Sequence, residues 1–281
     1  QPILTFVHLS DSHVGPTRDF ELYGRRPLDC LHRAVDMINA FPQPPDFVIH
    51  TGDLVHDQSA DSYRVALEVL NRLDAPLYMV NGNHDSRALM HQYLDVALHP
   101  SGDPDLPLDY AFEVRGERFL VVDAYSAEVR QPSGILRAEQ LERVRAEAQP
   151  DGPPLTVFMH YPSLKMASPW LDERMLIGNG EALHAALLPA RDRLRGVFFG
   201  HLHRSVQILR DGITYCCAPS TTVQYAWRLW DDKPEADPDF PPAYSAVYYL
   251  PDQVVVHQCG GVQRLDAAAS ETIGSMGAGE V

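Results

Sequence analysis

Five short runs place side chains able to bind a metal or move a proton just behind an apolar stretch. They are Asp11-x-His13, Gly52-Asp53, Gly82-Asn83-His84-Asp85, His160, and Gly200-His201-Leu202-His203. Imidazoles and carboxylates without a thiolate suit Mn, Fe, Co or Zn, whereas a Ca or Mg site would use oxygen alone. Each run is weak by itself. Asp11-x-His13 reads as a polar loop, and His160 before Tyr161-Pro162 as a strand end. The Gly200-His201-Leu202-His203 run is stronger, because alternation in an extended segment would turn both imidazoles the same way. If the runs converge, the carboxylates of Asp11 and Asp53 with a bridging hydroxide still leave two dications net positive, and a phosphodiester monoanion would be attracted.

The elements that must position these runs follow a strand and helix alternation. Residues 3–9, "ILTFVHL", and "DFVIHTGD" read as buried strands, and "APLYMVNGNHD" as strand then loop. Leu28, Leu31, Ala34, Val35 and Ile38 recur at helical spacing up to the prolines of "FPQPP". Residues 65–73 and 88–98 are also expected to be helical. This alternation argues for an α/β layered fold with a largely parallel sheet, and ligands collect outside the carboxyl ends of such strands. In the second half we expect a hairpin about Arg115-Gly116-Glu117, a helix in "LRAEQLERVRAEA" and strands in "PLTVFMHY" and "RGVFFGHLH". Further hairpins are expected about Asp211-Gly212 and within "AYSAVYYLPDQVVVHQC". The two halves thus predict two sheets with helices outside, in one domain over 1–264. Residues 229–242 are too rich in acid and proline for a regular element, and 265–281 reads as a flexible tail.

Composition narrows the function. The chain has 281 residues, 45% hydrophobic and 22% charged, as in an ordinary soluble globular protein. A formal net charge of −15 disfavours nucleic-acid polymers and anionic membranes as partners. The start, "QPILTFVHLS", lacks a charged stretch ahead of an apolar one, so a cytoplasmic address is expected. Cys30, Cys216, Cys217 and Cys259 show no CxxC spacing and read as reduced thiols, which suits that address. Of the 13 histidines, His8 and His50 sit inside apolar strands and read as satisfied buried residues. His32, His91, His99, His184 and His257 read as surface or packing residues.

In the order "DSH … GD … GNHD … H … GHLH", spanning residues 11–203, the sequence resembles the calcineurin-like metallophosphoesterases. The fold implied is α/β, a four-layer αββα sandwich of two mixed β-sheets with helices on the outer faces. By that resemblance Asp11, His13 and His203 would hold one divalent ion (Mn, Fe, Zn or Co), Asn83, His160 and His201 a second, and Asp53 would bridge them. A hydroxide shared by the ions would attack phosphorus in line. His84 would not bind metal; it would contact the phosphoryl group or protonate the leaving oxygen, with Asp85 orienting its imidazole. His56, where relatives usually show a small polar residue, faces the substrate or caps the following helix.

Within the family the chain resembles bacterial class III cyclic nucleotide phosphodiesterases and glycerophosphodiesterases, through its compact early spacing, "SGILRAEQLERVRAEA" and "NGEALHAAL". That implies hydrolysis of a small phosphodiester such as cAMP, with a glycerophosphodiester or a phosphomonoester as the alternative and a homodimer as the common assembly. His160-Tyr161-Pro162-Ser163 stands where many of these enzymes have His-His-Pro-Pro, which bears on substrate preference and not on metal binding. The aromatics of "APSTTVQYAWRLW" either stack a nucleobase or pack a surface loop. A non-catalytic module on this fold would lack ligands or the catalytic histidine, and all are present.

Overall fold

The computed structural model describes residues 1–94, 103, 106–226, 228, 231 and 233–260. In chain order the elements of the first half are β1 (Leu4–Leu9), α1 (Pro27–Asn39), β2 (Phe47–His50), α2 (Ala60–Leu70), β3 (Leu77–Met79) and α3 (Arg87–Leu94). Then come β4 (Tyr110–Val114), β5 (Glu117–Val121), α4 (Ala138–Glu147), β6 (Leu155–Phe158), α5 (Pro169–Arg174), α6 (Gly180–Leu187) and β7 (Leu194–Phe199). The last strands are β8 (Val206–Arg210), β9 (Ile213–Cys217), β10 (Gln224–Ala226), β11 (Glu235–Asp237), β12 (Ala243–Tyr249) and β13 (Val254–Gly260).

Two mixed sheets carry the molecule. The first runs β13-β12-β1-β2-β3, with β1, β2 and β3 parallel and the β12–β13 hairpin antiparallel at β1. The second runs β4-β5-β6-β7-β9-β8, parallel from β5 through β9 and edged on each side by an antiparallel strand. Alternation along β1 shows how the layers are assigned. Leu4 and Phe6 enter the core between the sheets with Phe47, Phe119, Phe158, Phe198 and Tyr249, while Val7 and Leu9 face outward onto Ala34 and Ile38 of α1. Phe6 stacks on Phe47 at 5.0 Å and meets Phe158 and Phe198 edge-on, so aromatic rings fill the interlayer. The outer face of the second sheet is covered by Leu141 and Val144 of α4 and Leu183 and Leu187 of α6. The architecture is therefore the expected αββα sandwich.

Several local expectations hold and others shift. The turns at Arg115-Gly116 and Asp211-Gly212 have positive φ at both residues, as a two-residue hairpin requires. The cysteines are free, with Cys30, Cys216 and Cys217 buried. The last hairpin does not extend the second-half sheet but crosses back to pair with β1. The acid- and proline-rich stretch contributes a short strand after all: β11 pairs with β10. His99, Trp227, Trp230, the end of the predicted 88–98 helix and the expected tail 265–281 lie outside the described residues. Among the described residues, no helix is long and apolar enough to cross a membrane.

Candidate metal centre

The five runs leave the carboxyl ends of β1, β2, β3, β6 and β7 and meet at the seam between the sheets. Backbone pairing continues beyond the strands and sets the loops in register. The amide of Asp11 donates to Gly52 O at 3.0 Å, that of His13 to Asp53 O at 3.0 Å, and that of Gly200 to His160 O at 3.0 Å. Asp11, His13, Asp53, His160, His201 and His203 are all buried, while Asn83, His84 and His56 are half-exposed on the open side.

The side chains fall into two groups with Asp53 between them. Asp11, His13 and His203 offer ligand atoms to one point, and Asp53, His160 and His201 to another. His13 Nε2 lies 3.0 Å from His203 Nε2 and 3.7 Å from Asp53 Oδ2, and His203 Nε2 is 3.5 Å from Asp11 Oδ1. In the second group His160 Nε2 lies 2.9 Å from His201 Nδ1, 3.1 Å from Asn83 Oδ1 and 3.4 Å from Asp53 Oδ2. The far nitrogens fix tautomers: His203 Nδ1 donates to Val223 O at 2.8 Å and His160 Nδ1 to Thr51 O at 2.7 Å. In the neutral tautomer both Nε2 atoms present a lone pair among the carboxylate oxygens of Asp11 and Asp53, an arrangement that a cation in the middle would satisfy. Two nitrogens bound about 2 Å from one ion at a right angle stand about 3 Å apart, so the spacing fits a metal.

The electrostatics agree. Burial opposes the charge of Asp53, but His160, by charge and hydrogen bond, with His84 and His13, holds its carboxyl well below the usual range. Burial pushes the Asp11 carboxyl up, His203 and His160 pulling against it. His13 and His201 lie well below the ordinary imidazole value, first because they are buried and then because of neighbouring histidines. Neutral imidazoles at His13 and His201 beside an anionic Asp53 are ligand states that suit a divalent ion. Against its burial, His160 is raised to about 9 by Asp53, Asp11 and the Thr51 carbonyl, and it holds a proton that an ion would displace.

The backbone is unusual here. Asp11, His13, Asp53, His201 and His203 all have positive φ, between 48° and 71°. Non-glycine residues adopt this region at a cost, and such strain clusters at functional sites. It corrects one expectation: the Gly200–His203 run is not extended, because β7 ends at Phe199 and both histidines sit in left-handed turns, with Leu202 N bonded to Gly200 O at 2.8 Å.

A second correction concerns Asp85. Its carboxylate does not orient the His84 ring; it accepts the amides of Asp53 (2.7 Å), Gly82 (3.0 Å), Leu54 (3.1 Å) and Val55 (3.3 Å), tying the β3 loop to the β2 loop. The His84 ring is held by the carbonyl of His56, 2.8 Å from Nδ1, and the His84 amide donates to Asp53 Oδ1 at 2.8 Å. Gly82 is there for clearance. Its φ is not positive; a Cβ would overlap the carboxylate and amide of Asp53. His56 does not cap α2, whose cap is Ser59; its ring stacks on His84 at 5.5 Å.

His8 is the satisfied histidine expected, its Nε2 paired with Thr51 Oγ1 at 2.8 Å. His50 is satisfied only at Nε2, 2.8 Å from Ser12 Oγ, its buried Nδ1 having no partner among the described residues, and burial above all brings both down to about 3. His184 is buried between Tyr215 OH (2.7 Å) and Asp211 Oδ2 (2.9 Å). Sequence reasoning missed Ser220, Thr221 and Thr222, which bond to Asp11 O (2.8 Å), Ser10 O (3.3 Å) and Ser12 O (2.7 Å) and brace the first loop. A run of small hydroxyls between buried residues was the available signal. Tyr225 of the same segment stacks on His203, ring centroids 4.4 Å apart.

Two layered sheets with a His/Asp centre at their seam define a class, the metal-dependent phosphoesterases. The calcineurin-like phosphoesterase family matches residues 4–205, and the chain belongs to it. It is 28% identical to a glycerophosphodiester phosphodiesterase, GpdQ, of Enterobacter lignolyticus over 83% of each chain. It is 29% identical to a probable cyclic nucleotide phosphodiesterase of Rhodopseudomonas palustris over 91% of this chain and 92% of that one. With the 3′,5′-cyclic adenosine monophosphate phosphodiesterase CpdA of Pseudomonas aeruginosa it shares 29% over 78% and 77%. Among solved structures, a dimetal phosphatase from Danio rerio has the same fold, with TM-score 0.72, 19% identity and coverage of 93% and 98%.

Proposed function

We propose that this protein hydrolyses small phosphodiesters, 3′,5′-cyclic nucleotides such as cAMP foremost, at a centre of two divalent ions. The observation that carries the reading is the pair of histidine and carboxylate groups flanking Asp53, with the His84 ring on their open side. Asp11, His13 and His203 would hold one ion, Asn83, His160 and His201 the other, with Asp53 shared. Ions bound there supply Lewis acidity, neutralising the phosphodiester and acidifying water for in-line attack.

The chain's own groups do the rest. His84 Nδ1–H donates to the His56 carbonyl, which leaves Nε2 to face the cleft. In the protonated ring Nε2–H can donate to a phosphoryl oxygen and then pass its proton to the leaving alkoxide as the phosphorus–oxygen bond breaks. The backbone anchor on Asp53 keeps that ring in register with the ligands. A glycerophosphodiester is the second reading, favoured by the similarity to GpdQ over as much of the chain.

The test is steady-state hydrolysis by metal-depleted protein reloaded with Mn. Substrates are bis(p-nitrophenyl) phosphate, p-nitrophenyl phosphate, 3′,5′-cAMP, 2′,3′-cAMP and glycerophosphocholine. A lead in kcat/KM for 3′,5′-cAMP is expected. A lead for glycerophosphocholine moves the assignment to the second reading, and no diester turnover overturns both.

A further inference from the structure

On the open side of the centre stands a third cluster that the two-ion reading does not use. One ring nitrogen from each of His13, His56 and His84 lies within 4.8 Å of the others. The His56 and His84 rings are near parallel, 25° apart with centroids at 5.5 Å, and His13 meets His84 edge-on at 4.8 Å. With Nδ1 committed to the His56 carbonyl, His84 presents only Nε2. His56 Nδ1 is buried and has no hydrogen-bond partner among the described residues, and Phe20 backs its ring at 5.1 Å. Because His13 Nε2 already faces His203 and the first group, His13 stands at the edge with only its buried, unpartnered Nδ1 left over, and His56 and His84 are the imidazoles not used by the two inner groups.

We propose that His56 and His84 form a third, weaker divalent-ion site, and that an ion there occupies the nitrogen His84 needs for substrate. Excess zinc would then inhibit the enzyme in competition with the phosphodiester. Two imidazoles completed by water suit Zn far better than Mn, which prefers oxygen ligands. With no carboxylate in the cluster, the site fills only after the two inner ones. The ion site stands on the histidine geometry alone, whereas the inhibition rests on the reading of His84 given above.

The test counts ions first. Metal-depleted protein is dialysed against graded free zinc or manganese and the bound metal measured by mass spectrometry. The parent is expected to climb from two to three ions per chain in zinc and to stop at two in manganese. His56→Asn, with His56→Gln as a second variant, is expected to stop at two in both, and retention of those two shows that the inner site is intact. A zinc plateau at two in the parent, or at three in the variants, overturns the site. Bis(p-nitrophenyl) phosphate hydrolysis then reads the consequence: over the zinc range that adds the third ion, the apparent KM of the parent rises about tenfold with kcat unchanged. A fall in kcat at constant KM overturns the block. No diester turnover at two ions would sink the phosphodiesterase reading while the ion count stands. Normal turnover with a two-ion plateau would sink the third site alone.

Discussion

Replacing His84 by alanine separates chemistry from ligation. The loop is anchored by main-chain and neighbouring groups: the residue-84 amide on Asp53 Oδ1 at 2.8 Å, and Asp85 on four amides. Alanine keeps all of these. What it removes is a half-exposed ring and one hydrogen bond to His56 O, worth about 1 kcal/mol of stability. If the ring holds a phosphoryl oxygen or delivers the leaving-group proton, turnover should fall on the order of 10²- to 10⁴-fold, about 3 to 5 kcal/mol of barrier. The assay pairs kcat on bis(p-nitrophenyl) phosphate with kcat on a dialkyl diester, alongside metal content and a melting curve. p-Nitrophenolate leaves without a proton and an alkoxide does not, so a proton-donor role predicts the larger loss for the alkyl diester. Loss of an ion, or turnover within tenfold of the parent on both substrates, would refute the reasoning.

Two further outcomes follow from packing and burial. Gly82→Ala should weaken both ions together and slow turnover, since its Cβ would press on the carboxylate between the two groups, and overpacking of this kind costs about 1 to 3 kcal/mol; full metal content with parental kcat would contradict it. Burial pushes the Asp109 carboxyl up to about 6, against the Asp123 amide that donates to it at 2.8 Å. The folded chain thus holds this proton more tightly than the unfolded one, so the group's contribution is complete below about pH 4 and fades as pH rises through about 6. Asp109→Asn removes that slope, and its urea midpoint relative to the parent should rise between pH 5 and pH 7; a flat difference would argue against it.

Much of the fold was legible because its signals are local. Apolar runs bounded by Gly-Asp, Asn-His-Asp or Gly-His mark strand ends, and Arg115-Gly116 and Asp211-Gly212 specify their own turns. The pairing of β12 with β1 was not legible, since nothing in "AYSAVYY" names a partner more than 200 residues earlier. The same limit applies at the site. Residue types told which side chains could serve, but not that left-handed backbones aim them. Asp85 follows His84 in sequence and invites pairing with it; in space its carboxylate turns back onto the amides of residues 53–55. That Gly82 gives clearance to Asp53 could be seen only in space.

The seam itself has a mechanical consequence. His13 follows β1 of the first sheet and His203 follows β7 of the second, and 190 residues separate them along the chain. An ion gripped by both would act as a reversible staple, closing a loop that includes most of the molecule. By the chain-entropy reasoning used for disulfides, such a closure stabilises on the order of 5 kcal/mol. Chelation would then loosen one half of the protein from the other, exposing the phenylalanine-filled interlayer to proteases. Metal scarcity would be read twice, as lost turnover and as a shorter lifetime of the chain.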